Sequence, residues 1–159
     1  MTPEKIAVIG IGNTLRRDDG IGIVVLESLL KFYKQKEIDY LNFGVASFDL
    51  LNRLKDYDAA LLIDGVDASL AAGELKIFKL EDIELNPDRP NVSTHELNLK
   101  DLFELAKKLK LKTKIYVAGI QIRDSSYGES LSGTLKNQLE RIVKEIRKFI
   151  ENTLLCSMP

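Results

Sequence analysis

Two short apolar runs constrain the fold of this chain more than any other feature. Lys5–Ile11 reads KIAVIGI and passes into a glycine-rich stretch. Asp58–Asp64 reads DAALLID and stops in a carboxylate. Neither run alternates apolar with polar residues, as a strand with one wet face would. Unbroken runs of this length suit strands covered on both faces, which is the position of central strands in a parallel sheet.

The segments around them supply the covers. Gly20 to about Lys34 reads as a helix, with Ile21, Val25, Leu29 and Phe32 on one face. Ile38–Phe43 reads as a strand, and Ser47 to about Leu54 as a short helix with Ser47 as its N-cap. Glu74–Leu80 sets Leu75, Ile77, Phe78 and Leu80 among charged residues, as a half-exposed strand would. Its connection from Asp64 is too short for a parallel crossover with a helix of its own, so it should run antiparallel to its neighbour. Residues 81–93 carry Pro87 and Pro90 and read as a long loop, a length usually tied to function. Ser93 and Glu96 form a capping-box pattern that opens a helix, with Leu99, Leu102, Phe103, Ala106 and Leu109 inward. Lys114–Ile122 is the last strand and residues 123–130 a loop. Leu131 to about Leu154 is a long final helix, with Leu135, Leu139, Ile142, Val143, Ile146 and Ile150 inward. This order predicts one domain over residues 1–159. It is a three-layer α/β/α sandwich on a five-stranded, mainly parallel sheet with one antiparallel strand at residues 74–80.

Composition removes several function classes. The 159 residues are 45% hydrophobic and 30% charged, which is globular. With 23 basic against 24 acidic residues, the net charge of −1 lacks the basic footprint of a nucleic-acid binder. No apolar stretch is long enough for a membrane span, and the start, MTPEK, lacks a signal-peptide core, so a cytoplasmic protein is expected. A single cysteine, Cys156, rules out an internal disulfide and a cysteine-rich metal site.

Chemistry in a parallel sheet collects beyond the carboxyl ends of the strands. Asp19 follows the first strand, Asp64 ends the third, and His95 sits at a helix opening. Each also has a structural reading. Gly10-Ile11-Gly12 starts like a dinucleotide fingerprint, but Leu15 replaces the third glycine, and Asp18 and Asp19 would repel a phosphate. The glycines therefore read as a tight strand-to-helix turn. Of Asp18 and Asp19, one suffices to cap the following helix and meet its dipole, which leaves the other for a ligand. Asp64 serves either a turn or a ligand. His95 is the only histidine, and the positive potential of a helix start keeps its imidazole neutral and able to ligate. Two carboxylates and an imidazole can hold a divalent first-row metal with positions left open. No serine lies in a G-x-S-x-G elbow, and Cys156 stands near the chain end. Arg16 and Arg17 are either solvated charges or contacts for an acidic partner.

With these residues in hand, the chain resembles the nickel–iron hydrogenase maturation endopeptidases. The likeness runs through GIGNTLRRDDGIG (Gly10–Gly22), LLIDGVDA (Leu61–Ala68), STHELNLKDLFELA (Ser93–Ala106) and VAGIQIRDSSYGESLS (Val117–Ser132). It implies removal of a C-terminal extension from the precursor of the hydrogenase large subunit, once nickel has been inserted. The family's metal-binding acids fall on Asp19 and Asp64 and its histidine on His95. Nickel is then expected to arrive within the substrate rather than as a resident cofactor. The partner is the large-subunit precursor, with no nucleic acid and no membrane, and the protein itself a monomer. The loops 81–93 and 123–130 should line the cleft for the extension. Where relatives often carry an acid followed by glycines after the second strand, this chain has LNFGVAS, with Asn42 in the acid's place. Where many relatives carry a proline after the last strand, it has Ile122. The alternative is a nickel-sensing chaperone of the same precursor that cleaves nothing.

Overall fold

The computed structural model describes residues 4–45, 48–83 and 99–157. Five strands form one sheet: β1 (Ile6–Ile11), β2 (Ile38–Gly44), β3 (Ala59–Val66), β4 (Leu75–Lys79) and β5 (Lys114–Gln121). Their spatial order is β2-β1-β3-β5-β4. β1 pairs in parallel with β2 and β3, β3 pairs in parallel with β5, and only β4 runs antiparallel, along β5. β4 thus takes the direction its short connection dictates, though it lies beside β5 rather than β3.

Every residue of β1 and β3 is buried, as the unbroken apolar runs require. Side chains alternate across the pleat. Ile6, Val8, Leu61, Ile63 and Ile120 face one layer, made by α1 (Ile21–Phe32) and α4 (Gly133–Phe149). Ala7, Ile9, Leu62 and Val117 face the other, made by α2 (Phe48–Leu54) and the described part of α3 (Leu99–Lys108). No described helix is long and apolar enough to cross a membrane.

Several boundaries differ from the sequence reading for physical reasons. β3 does not stop at Asp64, because Gly65 and Val66 still pair with Ile120 and Gln121 of β5. Phe32 is 65% exposed: α1 ends there, and the ring lies beneath the Lys31 ammonium instead of in the core. Leu109 is 47% exposed because α3 has already stopped at Lys108. The last helix begins at Gly133, with Ser132 as its N-cap, and widens into a π-type turn over Ile150–Leu155. Loop 81–93 opens with a tight helical turn, Leu80–Ile83. The N-cap at Ser47, the remainder of that loop and the Ser93–Glu96 capping box fall outside the described residues, as does the side chain of Leu99.

Candidate functional site

β1 sends the chain to β2 on one side, and the chain then returns to β3 on the other. The gap between β1 and β3 at their carboxyl ends is therefore the topological switch point, where open α/β sheets place ligands. The last β1–β3 pair is Gly10 with Ile63, so Asp64 is the first β3 residue beyond its neighbour's reach. Asp19 lies in the tight helical turn Arg17–Gly20 that follows β1. Among the described residues, the buried polar side chains are Asp18, Asp19, Asp64 and Gln121, at 0%, 3%, 4% and 5% exposure. All four belong to this one edge.

Glycines let the turn settle there. A Cβ on Gly22 would sit 2.2 Å from the carbonyl oxygens of both Ile11 and Ile63, so only glycine lets α1 start this close to the sheet. Gly12, at φ 151°, has the Asp19 carbonyl against it, where a Cβ would come within 2.1 Å. Asn13 donates its N–H to that same carbonyl at 3.2 Å, and Asp19 donates its own N–H to the Arg16 carbonyl at 3.0 Å. The turn also touches β3, since a Cβ on Gly65 would lie 3.2 Å from the Asp18 carbonyl oxygen. The glycines are occupied by backbone packing, the use that the failed dinucleotide pattern left for them.

The two adjacent acids part company here. Neither occupies the N-cap position of α1, which falls to Gly20. Asp18 instead accepts from the N–H groups of Arg123 and Asp124 at 3.0 and 2.9 Å, from the Ser132 N–H at 2.7 Å and from the Ser132 hydroxyl at 2.8 Å. Its own N–H donates to the Asp124 carbonyl at 3.0 Å. One carboxylate thereby ties the turn after β1 to the loop after β5 and to the start of α4. Hydrogen bonds to a charged acceptor contribute about 1.5–3 kcal/mol each, against a desolvation cost of several kcal/mol for the buried ion. The network thus fixes position more than it adds stability.

The loop after β5 has further internal ties. Asp124 accepts from the N–H and hydroxyl of Ser126 at 2.9 and 2.6 Å, and these bonds hold its carboxyl below the ordinary range. Arg17, at φ 43°, pairs with Asp124 at 3.6 Å. At the end of β5, Gln121 accepts from the N–H groups of Ala68 and Leu70 at 2.8 and 3.3 Å and so shapes the loop after β3. Sequence reasoning passed over Gln121 and Ser132. The available signal was a polar side chain inside the apolar run VAGIQI and a serine just ahead of helical periodicity.

The structure thus brings Asp19 and Asp64 to the same edge, nearly out of water. His95 lies outside the described residues. Among the described residues no group of three or more His, Cys, Asp or Glu side chains is placed to hold a metal ion. Asn42 pairs with Gly10 across the β1–β2 ladder, and its side-chain oxygen accepts from the Gly44 N–H at 3.0 Å. Cys156 is exposed beyond the last helical turn.

Comparison with known proteins agrees with this architecture. The model of the hydrogenase maturation protease family matches residues 23–149. A Methanocaldococcus jannaschii protein named for the same protease family is 31% identical over 160 residues, spanning 91% of either chain. The hydrogenase expression/formation protein HoxM of Azotobacter vinelandii is 26% identical, over 94% of this chain and 74% of its own. Among solved structures, the hydrogenase maturating endopeptidase HybD of E. coli superposes with a TM-score of 0.79 at 22% identity, covering 94% and 93% of the two chains. The [NiFe] hydrogenase maturation protease HycI of Thermococcus kodakarensis does so with a TM-score of 0.73 at 25% identity, covering 94% of each. The family match over most of the chain and the likeness to the archaeal relative settle the membership: this chain belongs to the hydrogenase maturation protease family.

Proposed function

We propose that this protein is the endopeptidase that removes the C-terminal extension of a nickel-loaded hydrogenase large-subunit precursor, with Asp19, Asp64 and His95 meeting the nickel that the substrate carries. Family membership supports the reaction class. The observation that carries the site is the pair Asp19 and Asp64, both nearly fully buried at the switch point. Carboxylate oxygens are suitable donors for a divalent cation, and the switch point is where an open α/β sheet receives its ligand.

In this reading nickel is cargo and checkpoint. Two carboxylate oxygens and a neutral imidazole nitrogen make an incomplete set, and thiolates of the precursor complete it. A precursor without nickel lacks the bridge and is not held for cleavage. Hydrolysis adds water to the scissile carbonyl, breaks the C–N bond and returns a proton to the leaving amine. Asn42 has no basic group to offer, so a mechanism that draws on a carboxylate at that position is not open to this chain.

The test is the mass of nickel-loaded precursor after incubation with the purified protein. A loss matching one cut near its C-terminus is expected, with no loss for unloaded precursor. Association without any mass change would replace the protease by a nickel-sensing chaperone. His95→Ala should abolish processing and leave the far-ultraviolet circular dichroism unchanged; normal cleavage by that variant would sink the assigned role.

A further inference from the structure

The two neighbouring arginines of the first motif have different fates. Arg17 is used within the fold: it pairs with Asp124 at 3.6 Å, and Gly128 packs on its guanidinium, where a Cβ would lie 3.0 Å from Nε. Arg123, on the same ridge, donates to the Thr134 hydroxyl at 3.1 Å. Arg16 is exposed and meets no carboxylate among the described residues. Its Nε donates to the Ser125 carbonyl at 3.0 Å, and its guanidinium carbon lies over the Tyr127 ring, 5.3 Å from the centroid. Among the described residues, the other donors of its fork meet no acceptor side chain.

We propose that Arg16, seated over Tyr127, is a specificity determinant that receives a carboxylate of the substrate polypeptide at the rim of the site. The inference rests on the protease reading above and names one feature of its substrate. Three observations lead to it. First, Arg16 belongs to the turn that carries Asp19, whose N–H it accepts at 3.0 Å. Second, the ridge is preorganised: Arg16 bridges Gly128 in parallel pairing, Gly128 donates to the Leu15 carbonyl at 2.9 Å, and Asp18 pins the loop beneath. Third, its neighbours are unusually bare for apolar side chains, Tyr127 at 82% exposure and Leu15 at 59%. A tyrosine, a leucine and an arginine side by side in water is the composition of a contact anchor.

Charge decides the occupant. The buried acids of the site repel an acidic segment, so a substrate carboxylate has a favourable position at the rim and an unfavourable one inside. A guanidinium already oriented by a ring and a carbonyl pairs with a carboxylate at little further ordering cost. Binding there would set the register of the chain that enters the site.

The test measures binding and cleavage of nickel-loaded precursor by wild type, Arg16→Ala, Arg16→Lys and Tyr127→Ala, none of which disturbs a buried group. Nickel-loaded precursors, each with a different acidic residue of the extension changed to its amide, locate the partner. Arg16→Ala should raise Kd and KM about tenfold, the scale of one well-formed charged contact, with kcat retained. Arg16→Lys should recover part of the loss, and added salt should weaken wild type more than Arg16→Ala. One such precursor should lose affinity for wild type and not for Arg16→Ala. Unchanged Kd and KM in Arg16→Ala, or an equal loss with every such precursor, overturns the inference while wild-type cleavage keeps the protease reading. Arg16-dependent binding without cleavage would do the reverse. A wild type that neither binds nor cuts the precursor overturns both.

Discussion

Ser132 meets Asp18 twice, its N–H donating to one carboxylate oxygen at 2.7 Å and its hydroxyl to the other at 2.8 Å. The same hydroxyl accepts from the Leu135 N–H and so caps α4. Asp18→Asn would turn one acceptor oxygen into a donor facing donors. It should lower stability by about 3 kcal/mol or more, since each buried group left unmatched costs about 1–3 kcal/mol. Ser132→Ala should cost about 1–2 kcal/mol as a lost cap. The double variant should lose less than the sum, because the two share one network. Urea midpoints with unchanged slopes would measure all three.

Asp19→Asn and Asp64→Asn keep side-chain shape and remove the anionic charge. Each should lower processing of nickel-loaded precursor by more than about 100-fold, beyond what loss of an outer-shell contact costs a metal site. The mass assay checks this, and a variant that cuts within tenfold of wild type would remove its residue from the proposed site.

Glycine substitutions should separate packing from conformation. At Gly22 a Cβ meets two backbone carbonyls at 2.2 Å, and backbone cannot step aside. Gly22→Ala should therefore cost about 3 kcal/mol or more, the upper range of overpacking. Gly133, at the first turn of α4, has nothing within 4 Å of its added Cβ. Gly133→Ala should instead stabilise by about 0.4–1 kcal/mol through the unfolded chain. Thermal melts should move in opposite directions.

Alkaline pH should weaken the fold through its tyrosines. Burial, together with the hydrogen bond its hydroxyl donates to Asp39 at 3.0 Å, pushes the Tyr57 phenol above its ordinary value of 10.0. Burial raises Tyr40 as well. A raised folded value means the unfolded chain gives up the proton first. The stabilisation is complete below pH 10 and is lost as pH rises through the folded value. Tyr57→Phe should flatten the alkaline limb of a stability–pH curve in part, with Tyr40 supplying the remainder. An unaltered limb would count against this assignment.

Much of the fold was legible because its determinants are local. The unbroken runs of β1 and β3 required cover on both faces, and the periodicity of Leu135, Ile142, Val143 and Ile146 named the inward side of α4. The antiparallel sense of β4 followed from a connection too short to cross over. Asp64 was legible as the carboxylate of a buried strand. Phe32 and Leu109 misled because periodicity carries on past the point where a helix stops or loses its neighbour. Gln121 was missed because its role depends on a loop that returns from over fifty residues earlier in the chain.

The sequence by itself determined the strands, the layers and the antiparallel sense of β4, because apolar pattern and connection length act over a few residues at a time. Tertiary structure decided which of two adjacent aspartates is structural and which of two adjacent arginines is left exposed. Asp18 is claimed by donors 105 to 114 positions away, and Arg17 by Asp124. Only the folded sheet brings those donors within hydrogen-bonding distance, and nothing in DDG or RRD distinguishes the members of each pair beforehand. Asp18 thereby belongs to the scaffold, a role that only the folded chain assigns to it.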